Sequence, residues 1–144
     1  MGISVSDYKE ICRRLNQNPV NGLRAVPAIN AAPRSRNKWE EAFEREELEP
    51  RVQSGEIRWA QFEGLRFRLA DDAYYKPDFV ALWANGELVA YEVKGMWREA
   101  ARVRIKVVAD HFPFRFIAVR KRKVSEGGGW EYEQFSAWLD RRGR

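Results

Sequence analysis

Three charged residues stand in a stretch that otherwise has the composition of a buried β-hairpin. Asp78 follows a proline, and Glu92 and Lys94 close an apolar run that is broken only at Asn85-Gly86. Two carboxylates at cross-strand distance repel each other, and burying either one without a partner is expensive. A divalent cation shared between them would remove that cost, and a nearby ammonium could orient or deprotonate a water. This combination of groups suits phosphodiester hydrolysis.

The turn between the two strands decides whether these carboxylates meet. A two-residue Asn85-Gly86 turn sets Asp78 opposite Val93, so that Asp78 and Glu92 point to opposite faces. A three-residue loop that ends in a left-handed glycine sets Asp78 opposite Glu92 and puts Lys94 on the same face. We predict the three-residue loop. The alternative to a metal site is that Asp78 only closes a turn after Pro77, while Glu92 and Lys94 form a surface ion pair worth under about 1 kcal/mol.

The composition limits the kind of metal that these carboxylates could share. The chain has one Cys and one His, which excludes both an intrachain disulfide and a zinc site built from Cys and His within one chain. A metal would therefore bind to carboxylates, as hard cations such as Mg²⁺ and Mn²⁺ do.

The sequence divides into an N-terminal segment and one folded domain. Residues 6–16 have helical spacing, and residues 17–36 lose all periodicity while holding several prolines and arginines. We therefore predict an N-terminal helix and basic arm or linker over residues 1–36, and a single domain over residues 37–144.

Periodicity also predicts the elements that would position the charged residues. Asn37 and Glu40 form a capping-box pattern that begins a helix, which Pro50 should end or kink. Further strands are predicted at residues 56–63, 65–70, 78–84, 87–94 and 114–119, and further helices at residues 97–110 and 130–141. Because a helix connects them, the strands at 87–94 and 114–119 should be parallel. The predicted fold class is α/β, an α+β mixed sheet flanked by helices, with a C-terminal helix.

This arrangement resembles the PD-(D/E)xK nuclease superfamily. Pro77-Asp78 and, fourteen positions later, Glu92-Val93-Lys94 match the superfamily motif on a predicted hairpin. The predicted α-β-β-β-α-β order from about residue 37 to 120 is similar to its restriction-endonuclease-like core. More narrowly, segments such as NKWEEAFEREELE, YKPDFVA and YEVKGMWREAARVRIKV resemble small phage-encoded nucleases related in fold to the phage endonucleases that resolve branched DNA.

The resemblance implies a role for each residue of the motif. The groups implied to bind Mg²⁺ or Mn²⁺ are Asp78, Glu92 and the backbone carbonyl of Val93. Lys94 is implied to be the catalytic lysine. The superfamily also places a glutamate on the first core helix, where Glu40 falls and where Glu44, one turn on, could substitute. Glu40 as a pure helix cap is the alternative. The chain departs from the pattern at Pro50, where related chains continue the helix.

Basic segments flank an acidic one. Residues 1–38 carry seven Lys or Arg against two acids, residues 39–63 three against eight, and residues 97–123 nine against two. A basic surface with an acidic centre suits a protein that binds a polyanion and holds cations at one point. The residues predicted to contact DNA are Arg34, Arg36, Arg98, Arg102 and Lys106. For the last three, which form a row on the helix at residues 97–110, a solvated face is the alternative.

The sequence therefore predicts a magnesium-dependent DNA endonuclease, with branched DNA as one candidate substrate. The alternative is a non-catalytic DNA-binding or phage-assembly protein on a nuclease-like fold. No apolar run approaches a membrane span and no signal-peptide pattern is present. We thus expect no membrane partner and a cytoplasmic location, in a bacterial host if the chain is phage-encoded. A homodimer would supply the two active sites that junction resolution needs.

Overall fold

The structure, a computed structural model, describes residues 34–96 and 98–135 of the chain. Within them form two long helices, a single-turn 3-10 helix at Val124–Glu126 and seven strands. Helix α1 consists of α-helix Lys38–Phe43, π-helix Glu44–Leu48 and α-helix Glu49–Ser54, and α2 is Glu99–His111. The strands are β1 (Ile57–Phe62), β2 (Phe67–Ala70), β3 (Ala73–Tyr75), β4 (Phe79–Trp83), β5 (Leu88–Lys94), β6 (Arg115–Lys121) and β7 (Trp130–Phe135). The helix and arm predicted before residue 34 lie outside the described residues.

The fold is a mixed α+β arrangement around one five-stranded sheet. Its strand order is β1-β4-β5-β6-β7, and β2 pairs only with β3 in a separate two-stranded sheet. All pairs are antiparallel except β5 and β6, which run parallel. The predicted parallel pair across α2 is therefore confirmed, as a helical crossover requires. Neither helix in the described ranges has the length and apolar character needed to cross a membrane.

Apolar side chains cover both faces of the sheet. On one face, Phe43 of α1 packs its ring against Phe79 and Tyr91 at centroid separations of 5.9 and 5.4 Å. On the other face, buried residues of α2 and of the β2–β3 hairpin form a second cluster with Phe116. The strands β4 and β5 lie inside the sheet and have no exposed position, with seven of their twelve residues buried and the rest half-buried, as their continuous apolar sequence predicts.

The register of the β4–β5 hairpin is the predicted one. Phe79 pairs with Tyr91 and Leu82 with Leu88, so the residue before β4 falls opposite Glu92. The Trp83 N–H donates to the Glu87 carbonyl at 2.9 Å, and the loop ends in a glycine with φ +88°. That left-handed conformation favours glycine, which explains why this three-residue loop forms here.

Helix α1 begins at the predicted capping box and continues past Pro50 to Ser54. The capping box between Asn37 and Glu40 is present. Of the two effects predicted for Pro50, an end or a kink, the helix end is not observed, and the regular α-helix is interrupted instead by the π-helical segment just before the proline. The backbone takes a π turn before the proline, where the Glu49 N–H donates to the Glu44 carbonyl. Pro50 then lies in the first turn of the next α-helical segment, where its missing N–H needs no helical partner.

The predicted C-terminal helix is also wrong over residues 130–135, which form strand β7 antiparallel to β6. Trp130 and Tyr132 alternate with Glu131 and Glu133 and contact Phe43 on one face of the sheet, while Phe135, an odd number of positions later, joins the α2 cluster on the other face. Period-two alternation favours a strand, and a run of left-handed glycines at residues 127–129 turns the chain back to pair. Residues 136–141 of the predicted helix lie outside the described residues.

Candidate active site

Asp78 lies at the end of the β4–β5 hairpin that is opposite its loop. It is the residue before β4 and is 4% exposed. Its Oδ2 accepts the backbone N–H of Val93 at 2.7 Å, and its Oδ1 accepts an N–H of Arg34 at 2.9 Å. Asp78 thereby ties the start of β4 to the end of β5, which explains why an acid at this position is compatible with burial.

Glu92 and Lys94 meet Asp78 at the same end of the sheet. The Nζ of Lys94 lies 2.8 Å from Oε1 of Glu92 and 3.8 Å from Oδ2 of Asp78. The convergence that the predicted register requires is therefore observed.

Glu40 joins the cluster from the opposite layer of the fold. Its side chain is fully buried in the first turn of α1. Its Oε2 accepts the Asn37 N–H at 2.8 Å, and its two oxygens accept from Arg34 at 2.7 and 3.0 Å. Glu44 instead pairs with Arg36 at 2.7 Å. Of the two candidate glutamates, the structure thus places Glu40 beside Asp78, and Glu40 is at once the helix cap and part of the cluster.

Burial and neighbouring groups together shift the pKa values of Asp78, Glu40 and Lys94. Burial, reinforced by Glu92, raises the pKa of Asp78 to about 7 despite the nearby ammonium of Lys94. Burial alone would also raise the pKa of Glu40, but the hydrogen bonds from Arg34 and from the backbone of Asn37 outweigh it, and the pKa is lowered. Burial would lower the pKa of Lys94, yet Glu92 and Asp78 raise it on balance, which favours the ammonium.

The structure adds Glu63, which sequence reasoning missed. It follows β1 with φ +50°, and its Oε1 lies 2.9 Å from Nε of Arg34 while its Oε2 accepts from Lys76 at 2.8 Å. A left-handed conformation is uncommon for glutamate, and it ends the alternation of β1. The only sequence signal was the following glycine, which marks a bend but not the direction of this side chain.

Tyr75 is a second residue of the cluster that the sequence did not predict. Its hydroxyl donates to Oε2 of Glu92 at 2.8 Å, and the residue is 5% exposed. Burial, together with the charge of Glu92, raises the pKa of Tyr75, so the phenol keeps its proton and remains a donor. In the sequence, Tyr74 and Tyr75 stand just before the motif, but their position does not reveal that one of them contacts Glu92.

Gly95 allows α1 to approach the end of β5. A Cβ built on this glycine would lie 2.6 Å from Nε1 of Trp39, closer than any packed contact allows. Trp39 precedes Glu40 on α1, so this contact brings the cluster's glutamate toward the strand that carries Glu92 and Lys94.

The residues predicted to contact DNA divide into two groups. Arg34 and Arg36 pair with carboxylates around the start of α1, and Arg102 pairs with Glu133 of β7. Arg98 and Lys106 are exposed and make no ion pair within the described ranges. Their role as DNA contacts stays a prediction.

The carboxylate oxygens of the cluster are suitable ligands for a hard cation, but in this structure they pair with side-chain cations. Asp78, Glu92 and Glu40 offer only oxygen atoms, the ligands that Mg²⁺ and Mn²⁺ prefer. Within residues 34–96 and 98–135, however, no group of three or more His, Cys, Asp or Glu side chains is arranged to hold a metal ion. The acid oxygens are arranged around the guanidinium of Arg34 and the ammonium of Lys94.

Comparisons with family models, with curated proteins and with solved structures gave no match for this chain.

Proposed function

We propose that this chain is a Mg²⁺- or Mn²⁺-dependent endonuclease that hydrolyses phosphodiester bonds of DNA, of the PD-(D/E)xK type. One observation carries the proposal. Asp78, Glu92 and Lys94 of the hairpin meet at one end of the sheet, and Arg34 links Asp78 to Glu40 of α1. Burial of several acids at one place costs stability even when side-chain cations pair with them, and cation-dependent chemistry explains why a fold would keep it.

Each group has a proposed task. Asp78 and Glu92, with the carbonyl of Val93 and with Glu40, would hold the cation. When bound, the cation would acidify a water and offset negative charge at the phosphate. Lys94, held as an ammonium 2.8 Å from Glu92, can donate an N–H to the attacking water or to a phosphate oxygen. Tyr75 fixes the orientation of Glu92 through its hydroxyl.

The proposed partner is DNA, bound through its phosphates. Arg98 and Lys106 are exposed on or next to α2 and are available for such contacts. Arg34, Arg36 and Arg102 would have to exchange a carboxylate for a phosphate to take part. Selectivity for branched DNA, a homodimer and a cytoplasmic location stay predictions.

Cleavage of a supercoiled plasmid and of a four-way junction with Mg²⁺ or Mn²⁺ tests the proposal. We expect the wild type to cut, and we expect Asp78→Asn and Lys94→Met each to lower the rate by at least about 100-fold. Asn keeps an acceptor for the Val93 N–H, so the first variant removes charge with little change of shape. Lys121→Met, a change of the same kind on β6 away from the cluster, should cut at the wild-type rate.

The outcome separates the alternatives. A wild type that binds DNA but cuts neither substrate would favour a non-catalytic DNA-binding module. A protein that neither binds nor cuts DNA would favour an assembly role. Size-exclusion chromatography with light scattering on the same preparation tests the homodimer.

A further inference from the structure

A cation already occupies the space between three carboxylates of the candidate site, and it belongs to the chain itself. The guanidinium of Arg34 lies 2.7 Å from Oε1 of Glu40 and 2.9 Å from Oδ1 of Asp78. Its Nε lies 2.9 Å from Oε1 of Glu63. One planar group with five N–H donors thus satisfies acids from α1, from the end of β1 and from the start of β4.

The two sides of this contact differ in how firmly they are held. The side chains of Glu40, Glu63 and Asp78 are 0%, 9% and 5% exposed, whereas that of Arg34 is 48% exposed. The acids sit on or beside regular elements, but residues 34–37 have no regular secondary structure before α1. The guanidinium can therefore leave the cluster through rotation of its own side chain, while the acids remain where they are.

The contact opposes binding of a metal in two ways. Both oxygens of Glu40 and one oxygen of Asp78 accept hydrogen bonds from the guanidinium, so those lone pairs are engaged. A permanent positive charge at this distance also repels a second cation.

We propose that Arg34 is a built-in competitor for the divalent cation, whose guanidinium closes the site and must leave Glu40 and Asp78 before the metal binds. We call the guanidinium of Arg34 in this position the plug. Glu63 is the anchor, because its carboxylate pairs with Arg34 and it is not among the residues proposed to bind the metal. The inference rests on the proposed function, because the competition requires a cation site at Asp78.

Binding of Mn²⁺ to the full chain without DNA tests this competition. Free Mn²⁺ is measured by electron paramagnetic resonance for the wild type, Arg34→Ala, Glu63→Gln and Arg51→Ala. The apparent affinity of a site that is open only part of the time falls by the open fraction. If the plug is seated about nine-tenths of the time, Arg34→Ala should bind Mn²⁺ about tenfold more tightly. Glu63→Gln should shift in the same direction.

Arg51→Ala is the matched control, because Arg51 pairs with Glu47 on α1 without contacting the buried acids. It should bind Mn²⁺ as the wild type does. Circular dichroism melts with and without Mn²⁺ report on folding of each variant. We expect Mn²⁺ to raise the melting temperature of Arg34→Ala more than that of the wild type.

Several outcomes would overturn the inference. Equal or weaker Mn²⁺ binding by Arg34→Ala would make Arg34 a residue that positions the acids. Weaker binding by Glu63→Gln would make Glu63 a ligand instead of an anchor. An Arg34→Ala chain that stays unfolded in excess Mn²⁺ would show that the metal cannot replace the guanidinium. Absence of Mn²⁺ binding in every variant would remove the metal site and the proposed function with it, whereas a wild type that binds Mn²⁺ and cuts DNA leaves that function standing.

Discussion

Helix α1 carries two charged networks that use the same residue types in different surroundings. In its first turn, the fully buried Glu40 meets Arg34 and, through it, Asp78. In its π turn, Glu46 pairs with Lys121 and accepts the indole N–H of Trp130 at 2.9 Å. The neighbouring Glu47 accepts the hydroxyl of Tyr132 at 2.6 Å and pairs with Arg51 at 2.7 Å.

The difference between the networks is burial. The second network is partly exposed and ties α1 to β6 and β7, so each of its pairs should contribute under about 1 kcal/mol. The first network keeps acids almost out of contact with water, where loss of a partner is strongly destabilising. A surface network can form because it adds a little stability, whereas a buried cluster of acids calls for a further reason, which the proposed chemistry supplies.

The largest expected difference between the two networks is in DNA cleavage. Glu40→Gln should lower DNA cleavage by at least about 100-fold, because it removes a negative charge from the proposed cation site. Glutamine at this position can still accept the Asn37 N–H of the capping box, so helix α1 should stay intact. Cleavage rates and thermal melts of the same preparations separate the two effects.

The control is Glu46→Gln, which changes the same residue type in the exposed network and should cut at the wild-type rate. Glu44→Gln should also retain activity, because Glu44 pairs with Arg36 outside the cluster. The contrast between the networks fails if Glu46→Gln or Glu44→Gln loses as much activity as Glu40→Gln.

A smaller contrast is expected in stability at the two tyrosine–glutamate hydrogen bonds. Tyr75 is 5% exposed and donates to Glu92, whereas Tyr132 is 45% exposed and donates to Glu47. Tyr75→Phe removes a buried bond to a charged group and should lower the free energy of unfolding by about 1.5–3 kcal/mol. Tyr132→Phe should cost under about 1 kcal/mol. Urea unfolding measures both, and equal losses would mean that burial does not separate the networks.

The smallest effect is expected at the Glu46–Lys121 pair. Hydrogen bonds from Lys121 and Trp130 lower the pKa of Glu46 from its usual 4.5. A lowered folded-state pKa gives a contribution that is present above the unfolded pKa and is lost as the pH falls through the folded one. A double-mutant cycle with Glu46→Gln and Lys121→Met should therefore show a small coupling at neutral pH that fades below about pH 4.5 and weakens in salt. Coupling that persists in acid would contradict this assignment.

Much of the candidate site follows from local sequence patterns. The left-handed glycine at the end of the 84–86 loop fixes the hairpin register, and that register places Asp78 opposite Glu92. The capping box at Asn37 sets the start of α1 and, with it, the position of Glu40. Both are short-range effects of backbone conformation and hydrogen bonding, which is why they can be predicted without the rest of the fold.

Other features were missed because neighbours distant in sequence decide them. The helix predicted over residues 130–141 does not form at residues 130–135, because these residues pair with the edge of strand β6. Pro50 is tolerated because a π turn shifts the hydrogen bonds before it. In both places the hydrogen bonds that the backbone finds in the folded chain decide the outcome.

The sequence by itself determined that an acid pair and a lysine would face one another at the end of a hairpin, because strand periodicity and one turn govern that geometry. Only the tertiary structure decided what surrounds them. It brought Glu40 from the helix layer, Tyr75 from β3, Glu63 from the turn after β1, and the guanidinium of Arg34 into one cluster with the acids of the hairpin. Those contacts join residues up to 44 positions apart, and burial, which no local pattern encodes, determines their strength.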